Sequence, residues 1–269
     1  IDGVAPAAKM NQQRVRRFKS VYDEELKKPL KKKFGIEEFN KWSNAVITPG
    51  TDFMERLHKR ILKYINSVDF VKIQYSSYHT PGEGEHKIME DLRKNGDIDK
   101  NYVIYGLDAD LIFLSLASGF NIYLLRESVE LGTKKRDAVK PDLDPVKDVS
   151  EDLDYIPIEY VREAWYNICK TALKRRNESS DVKIDIDGLN SVDLSNDFIV
   201  ACYFLGNDFL PHIPSLEIHR GGLDLVLNAY VSTYEMCQCN MIEVAKDGKY
   251  VNIIFLEEFI IFMSNRENY

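Results

Sequence analysis

The chain has 269 residues, of which 44% are hydrophobic and 29% charged, a composition typical of a soluble protein with one large or two small domains. The net charge of -7 argues against a simple basic nucleic-acid-binding module, and no apolar run approaches the roughly 20 residues of a membrane span. The four cysteines lack C-x-x-C spacing and flanking histidines, so we expect reduced thiols in an intracellular protein. Because the chain starts at Ile1 without Met, we expect the natural N-terminus to lie upstream.

The charge is unevenly distributed along the chain. Residues 1–33 contain ten Lys or Arg and four acids, a local balance of +6, which leaves -13 for the remainder. A basic segment next to an acidic body suits a protein that holds a polyanion at one point and cations at another.

The first predicted helix runs from Ala7 to about Leu26 and follows Pro6, a residue favoured in a first helical turn. At about 100° per residue, four polar side chains share roughly a third of its circumference. They are Lys9, Gln13, Arg16 and Arg17. Such a face is usually only solvated, but Arg forks and a Lys charge on one face also match a phosphate group. The residues leave both interpretations open.

The next stretch predicts a helix, a strand and a second helix. The helices are expected at 52–65 and 86–94, and the alternating residues 70–75 predict the strand. The turn HTPGEGEH holds Glu83 and Glu85, which could be ordinary acids at a helix N-terminus. Two glycines around Glu83 also permit close backbone approach, which a helix start does not require.

The same arrangement recurs in NYVIYGLDADLIFLSLAS. Residues 102–105 predict a short buried strand and 111–117 a helix, with Asp108 and Asp110 in the turn between them. The carboxyl ends of strands form the edge of an open α/β sheet at which ligands bind. Asp110 could simply cap its helix, but two acid-x-acid pairs at successive strand-to-helix turns favour shared metal binding.

The remaining elements predict an α/β fold with a central, mostly parallel sheet flanked by helices, in a single domain fragment spanning residues 1–269. They are a strand at 121–126, helices at 156–174, 194–205 and 223–234, a strand at 250–255 and a helix from Leu256. The charged segment 127–154 shows little periodicity and is predicted to be a surface insertion. Gly206 should end the 194–205 helix, and Asp208 after it is a further candidate carboxylate.

Six carboxylates can be drawn together at one edge of such a sheet. They are Asp2, at the end of what should be a strand, Glu83, Glu85, Asp108, Asp110 and Asp208. All-oxygen ligation suits Mg²⁺ or Mn²⁺. This number of acids indicates two ions, the arrangement used for in-line displacement at phosphorus. The basic face of the first helix is then a natural site for a substrate phosphate.

Several long motifs resemble, in order and spacing, the nuclease domain of the Xrn family of 5′-to-3′ exoribonucleases, and the acidic pattern is more distantly similar to flap endonucleases. The motifs are IDGVAPAAKMNQQRVRRF, PGEGEHKIMEDLR, YGLDADLIFLSLAS, YLLRE and GNDFLPHIPSLEI. The resemblance implies a PIN/flap-endonuclease-like fold and metal-dependent, processive hydrolysis of single-stranded RNA with a 5′-monophosphate. Nucleoside monophosphates would be released in RNA decay.

The resemblance also assigns roles to residues. The six carboxylates would be catalytic metal ligands, and the polar face of the first helix would form the pocket that accepts a 5′-phosphate and excludes a cap. That pocket would consist of Lys9, Gln13, Arg16 and Arg17. YGLDADLI with LLRE resembles the cytoplasmic branch of the family more than the nuclear one, so we expect a cytoplasmic location, with a nuclear one as the alternative.

The chain departs from the family pattern in three respects. Ala7 stands where the family usually has Arg in its GVAPRAK motif, and the family's opening segment and later channel-forming parts have no counterpart here. We therefore expect the 269 residues to bind metal and phosphate with poor or no turnover, whereas the parent protein could be fully active. A non-catalytic RNA-binding scaffold is the alternative, but it would not need six uncompensated acids. A flap-type endonuclease would need a helical DNA-gripping element after Asp208, and FLPHIPSLEIHRGG does not resemble one.

Overall fold

The computed structural model describes residues 1–36, 44–127, 153–179 and 183–267. The chain divides into two compact units. The first comprises Ile1–Asn95 and Asn207–Pro211, and the second comprises Gly96–Gly206 and His212–Tyr269. Among the described residues, every helix is too short or too polar to traverse a bilayer.

The described residues of the first unit form three α-helices: α1 (Ala7–Lys33), α2 (Asp52–Ile65) and α3 (Gly84–Asn95). The bounds predicted for α2 are confirmed, and the Thr51 hydroxyl caps this helix by accepting from the Met54 amide at 3.3 Å. Helix α1 extends beyond the predicted end at about Leu26 and continues through Pro29. Three lysines in its last turn favour this extension because they complement the negative end of the helix dipole.

Two strands predicted in the first unit are wrong. Neither residues 70–75 nor the segment around Asp2 belongs to a strand. Phe70 is 84% exposed, so the alternation in FVKIQY does not bury one face against a core. An alternating pattern becomes a strand only where a neighbouring chain segment accepts its ladder of hydrogen bonds, and that partner cannot be read from local sequence.

The second unit is built on a three-stranded mixed sheet of β1 (Asn101–Tyr105), β2 (Asn121–Glu127) and β3 (Leu153–Pro157). Strands β1 and β2 are parallel and are joined by α4 (Asp110–Ser118), as predicted. The unpredicted β3 pairs antiparallel with β2. The described sheet is therefore small and mixed, and it does not show the expected central parallel sheet. Residues 128–152, most of the predicted insertion, lie outside the described residues.

Four further helices and a hairpin lie in the described part of the second unit. They are α5 (Ile158–Ser179), α6 (Ser191–Tyr203), α7 (Gly222–Cys237), β4 (Ile242–Ala245), β5 (Gly248–Val251) and α8 (Ile253–Glu267). The predicted strand at 250–255 is interrupted by Asn252, whose side chain accepts from the Phe255 amide at 3.0 Å and caps α8. The core includes Leu173, Tyr230 and Phe259. The four cysteines are free thiols, and Cys169 and Cys202 are buried.

A buried carboxylate connects three elements of the second unit. Asp197 on α6 is 0% exposed and accepts hydrogen bonds from the Tyr230 hydroxyl at 2.7 Å and from the amides of Met241 and Ile242 at 2.9 and 2.7 Å. Burial raises the pKa of Asp197 to about 6, although the three hydrogen bonds act in the opposite direction. Asp197 therefore ties α6 to α7 and to the start of β4.

Asp197 should make the stability of the protein depend on pH. The folded chain binds this proton more tightly than the unfolded chain, whose pKa is about 3.9, so the contribution of Asp197 is full below about pH 4 and is lost as pH rises through about 6. Between pH 4 and 7, the free energy of unfolding of the wild type relative to Asp197→Asn should fall by about 2 kcal/mol. Urea denaturation at a series of pH values measures this difference. Asp224→Asn, at an exposed position on α7, is the control. A difference that stays constant or grows with pH would contradict the prediction.

Candidate active site

A close backbone crossing holds the N-terminal segment against the turn that precedes α3. The Gly3 amide donates to the Gly82 carbonyl at 2.8 Å, and the Gly82 amide donates to the Val4 carbonyl at 3.0 Å. A Cβ atom on Gly3 would lie 1.9 Å from the Thr80 carbonyl oxygen, so only glycine permits this approach. The crossing places Asp2 beside the N-terminus of α3.

Asp2 acts as a cap for α3. Its Oδ1 atom accepts from the Gly84 amide at 2.6 Å. This bond satisfies one of the amides that lack an intrahelical partner and places a negative charge at the positive end of the helix dipole. Gly84, the second glycine of the G-E-G-E turn, is therefore hydrogen-bonded to Asp2, the acid predicted at the end of a strand.

Glu83 and Glu85 form an acidic cluster with His86 at the start of α3. One potential ligand atom from each residue lies within 4.8 Å of the others. Glu83 is only 5% exposed, yet neither of its carboxylate oxygens accepts a hydrogen bond from any described residue. Burial of an unsatisfied carboxylate is unfavourable unless a cation compensates it. The cluster therefore fits a divalent cation that carboxylates ligate.

Lys9 of α1 supplies the nearest positive charge to Glu83. Its Nζ atom lies 3.2 Å from Glu83 Oε1 and also contacts Asp208 Oδ2 directly. The ammonium is 5.8 Å from the centroid of the Phe209 ring. Burial disfavours the charged ammonium, but the contacts with Asp208 and Glu83 prevail and raise the pKa of Lys9.

Asp208 binds three side chains of α1. In addition to Lys9, the Gln12 amide donates to Oδ1, and Arg16 Nη2 lies 3.2 Å from the same oxygen. Burial opposes ionisation of Asp208, but the hydrogen bonds from Gln12 and Lys9 outweigh it and lower the pKa of the carboxyl group. In the first unit, Lys9 thus lies between two of the six predicted metal ligands.

The residues predicted to form a 5′-phosphate pocket lie on two adjacent faces of α1. Lys9 and Arg16 contact Asp208, whereas Gln13 and Arg17 line a separate cavity of about 300 Å³. Polar and charged residues of this cavity are Asp2, Gln13, Arg14, Arg17, Thr48 and Glu83. The cavity therefore combines positive groups of α1 with two of the candidate carboxylates.

Asp108 and Asp110 belong to the second unit and follow the carboxyl end of β1, as predicted. Asp110 is the first residue of α4, and its amide donates to Asp108 Oδ1 at 3.2 Å. Asp108 thus caps the first amide of α4, the role that was the alternative to metal binding for Asp110. Arg126 on the neighbouring strand supports the turn by donating to the Leu107 carbonyl at 3.0 Å. That these two acids share a metal site with those of the first unit stays a prediction.

The sequence analysis did not select Gln12 and His86. Gln12 lies three residues after Lys9 and four before Arg16, a spacing that places all three on one helix face. His86 directly follows Glu85, with its Nε2 atom 3.8 Å from Glu83 Oε2. An expectation of oxygen ligands alone gives His86 no role, although the run E-G-E-H places it next to both glutamates.

Two family models match the chain. The model described as "XRN 5′-3′ exonuclease N-terminus" matches residues 1–128, and the one described as "Xrn1 helical domain" matches residues 185–268. The first match implies a PIN-like nuclease fold, consistent with the mixed α/β architecture.

Curated relatives agree with these matches. The chain is similar to 5′-3′ exoribonuclease 1 of Homo sapiens, with 37% identity over 86% of this chain and 14% of the relative. It is 33% identical to 5′-3′ exoribonuclease 2 of Arabidopsis thaliana, over 100% of this chain and 30% of the relative. It is 36% identical to 5′-3′ exoribonuclease 1 of Saccharomyces cerevisiae, over 86% of this chain and 15% of the relative. The chain thus spans less than a third of the length of these relatives, and with both family models matched it belongs to the Xrn family of 5′-3′ exonucleases.

Proposed function

We propose that this chain carries catalytic residues of a divalent-metal-dependent 5′-to-3′ exoribonuclease. The substrate would be single-stranded RNA with a 5′-monophosphate, and the products would be nucleoside monophosphates. The observation that carries this proposal is the buried Glu83 carboxylate, which accepts no hydrogen bond from the described residues and lies beside Glu85 and His86. The names of the relatives, which are 5′-3′ exoribonucleases, support the same activity.

The acids in the family motifs are the proposed metal ligands. They are Asp2, Glu83, Glu85, Asp108, Asp110 and Asp208. Two Mg²⁺ or Mn²⁺ ions would supply electrostatic stabilisation for in-line attack at phosphorus. A scaffold that only binds RNA would gain nothing from a buried carboxylate that accepts no hydrogen bond from the described residues and shares the Lys9 ammonium with Asp208, because one positive charge only partly compensates two acids. The state of Glu83 therefore favours the enzyme.

The positive groups of α1 would select the end of the RNA. A 5′-monophosphate carries between one and two negative charges near pH 7, whereas a 5′-hydroxyl carries none. Gln13 and Arg17 line the cavity beside Asp2 and Glu83, so an anion held there would lie next to the proposed metal ligands. Lys9 and Arg16 would complete the pocket. The closer resemblance to the cytoplasmic branch leads us to propose cytoplasmic RNA decay as the setting.

The selection of the RNA end can be tested with Arg17→Gln in the full-length protein. The wild type should degrade 5′-monophosphate RNA with Mg²⁺ and spare 5′-hydroxyl and capped RNA. Loss of one charge-assisted contact should lower kcat/KM on 5′-monophosphate RNA by about tenfold to a hundredfold, with little effect on 5′-hydroxyl RNA. Lys19→Gln, at an exposed position on the same helix, should leave both rates unchanged. Equal decay of all three RNA ends by the wild type would refute the phosphate pocket.

The role of Glu83 can be tested without an activity assay. Glu83→Gln should weaken binding of Mn²⁺, followed by its electron paramagnetic resonance signal, by at least about tenfold because one anionic ligand is lost. The fold should be retained, because glutamine has nearly the same shape as glutamate and Lys9 keeps its contact with Asp208.

Glu90→Gln is the matched control for this measurement. Glu90 lies on the same helix but is exposed and pairs with Lys94. Its substitution should leave the affinity for Mn²⁺ unchanged. If Glu83→Gln binds Mn²⁺ as tightly as this control does, Glu83 is not a metal ligand.

A further inference from the structure

Lys9 lies where a bound cation would be expected, between Glu83 and Asp208. We propose that Lys9 is a resident counter-ion of the metal site, that divalent metal displaces it, and that the released ammonium then serves the 5′-phosphate. Metal binding would thereby promote capture of the phosphorylated RNA end. This inference rests on the proposed function and adds a regulatory coupling between its two sites.

Burial and distance set Lys9 apart from the other positive residues of α1. Lys9 is 9% exposed, and its Nζ atom contacts both Asp208 and Glu83. Arg16 contacts only Asp208 among these two acids, and its side chain is 66% exposed. The described arrangement therefore assigns the counter-ion role to Lys9 and not to the helix face as a whole.

The two carboxylates would respond differently to the departure of Lys9. Asp208 would keep its contacts with Gln12 and Arg16. Glu83 would keep no hydrogen-bond donor among the described residues and would remain buried. Such a group requires a replacement cation. If the Lys9 ammonium moves away, Glu83 should therefore bind another cation in its place.

Lys9 and a divalent ion would compete for Glu83. Both are attracted to the same carboxylate, and the repulsion between them is strong because a buried site screens charges weakly. Lysine can respond by rotating, since its charge lies at the end of a flexible stem of four carbons.

The helix places the phosphate-binding residues within reach of a released lysine. Gln13 follows Lys9 by four residues, so the two side chains are neighbours on the surface of α1. Gln13 lines the cavity that also holds Arg17. The assignment of Lys9 to the 5′-phosphate by the family motif and its observed contact with carboxylates then describe two states of one side chain. Because binding couplings are reciprocal, phosphate should in turn strengthen metal binding.

Binding of Mn²⁺ to the full-length protein without RNA tests the counter-ion role. Lys9→Gln should bind Mn²⁺ about tenfold more tightly than the wild type, because a competing positive charge has been removed. Lys9→Arg keeps the charge and should bind Mn²⁺ no more tightly than the wild type, and the exposed Lys19→Gln should not change the affinity. Unchanged or weaker binding by Lys9→Gln would overturn the proposal, as would equal tightening by Lys19→Gln.

A measurement on the wild type removes any dependence on how the variants fold. Mn²⁺ should increase acetylation of Lys9 by an amine-selective reagent, read by mass spectrometry, while acetylation of Lys19 stays constant. Adenosine 5′-monophosphate should bind more tightly in the presence of Mn²⁺, and this gain should shrink in Lys9→Gln. Acetylation of Lys9 that does not rise with Mn²⁺ would contradict the displacement.

These readouts separate the inference from the proposed function. If Mn²⁺ displaces Lys9 but the rate of RNA decay is the same for all three 5′ ends, the exoribonuclease assignment fails and the counter-ion role stands. If decay requires a 5′-monophosphate but Lys9→Gln leaves the Mn²⁺ affinity unchanged, the coupling fails and the proposed function stands.

Discussion

Each unit has to accommodate a carboxylate buried away from water, and the two do so differently. Asp197 in the second unit receives three hydrogen bonds, from one hydroxyl and two amides, and these fix α6, α7 and β4 together. Glu83 in the first unit receives none from the described residues and lies 3.2 Å from the Lys9 ammonium and 3.8 Å from His86 Nε2. A fully hydrogen-bonded acid stabilises a fold, whereas an acid left for a cation is suited to binding one. This difference separates the structural acid from the candidate functional acids.

Two other candidate acids of the first unit are each held in place by contacts with residues distant in sequence. Asp2 caps α3, and a glycine that tolerates no side chain brings it there. Asp208 is bound by α1 through Lys9, Gln12 and Arg16. Both anchors are fixed by residues distant in sequence, so the acids are positioned before any ligand arrives. Preorganised anions of this kind lower the reorganisation that a metal would otherwise impose.

Local sequence patterns correctly predicted the helices and strands that depend on local interactions. They gave wrong predictions where a segment forms a strand only if a distant segment pairs with it. Helix α2 and the β1–α4–β2 unit follow from periodicity and capping residues, and the structure confirms them. Residues 70–75 carry the pattern of a strand but pair with no strand in the described part of the chain, while β3 forms because β2 lies beside it. For the same reason the sequence identified Lys9 and Asp208 as candidates without indicating that residues 199 apart in sequence would be paired.

The distribution of lysine and arginine on α1 is consistent with these separate tasks. A guanidinium presents a rigid fork that recognises one planar anion well, which suits Arg16 on Asp208 and Arg17 in the cavity. An ammonium is a compact charge on a flexible stem and can serve different anions in turn. Lysine is therefore the better residue for position 9, where the same ammonium would bind first the carboxylates of the site and then the phosphate of a substrate. An arginine there would hold Glu83 and Asp208 more firmly and would yield less readily to a metal.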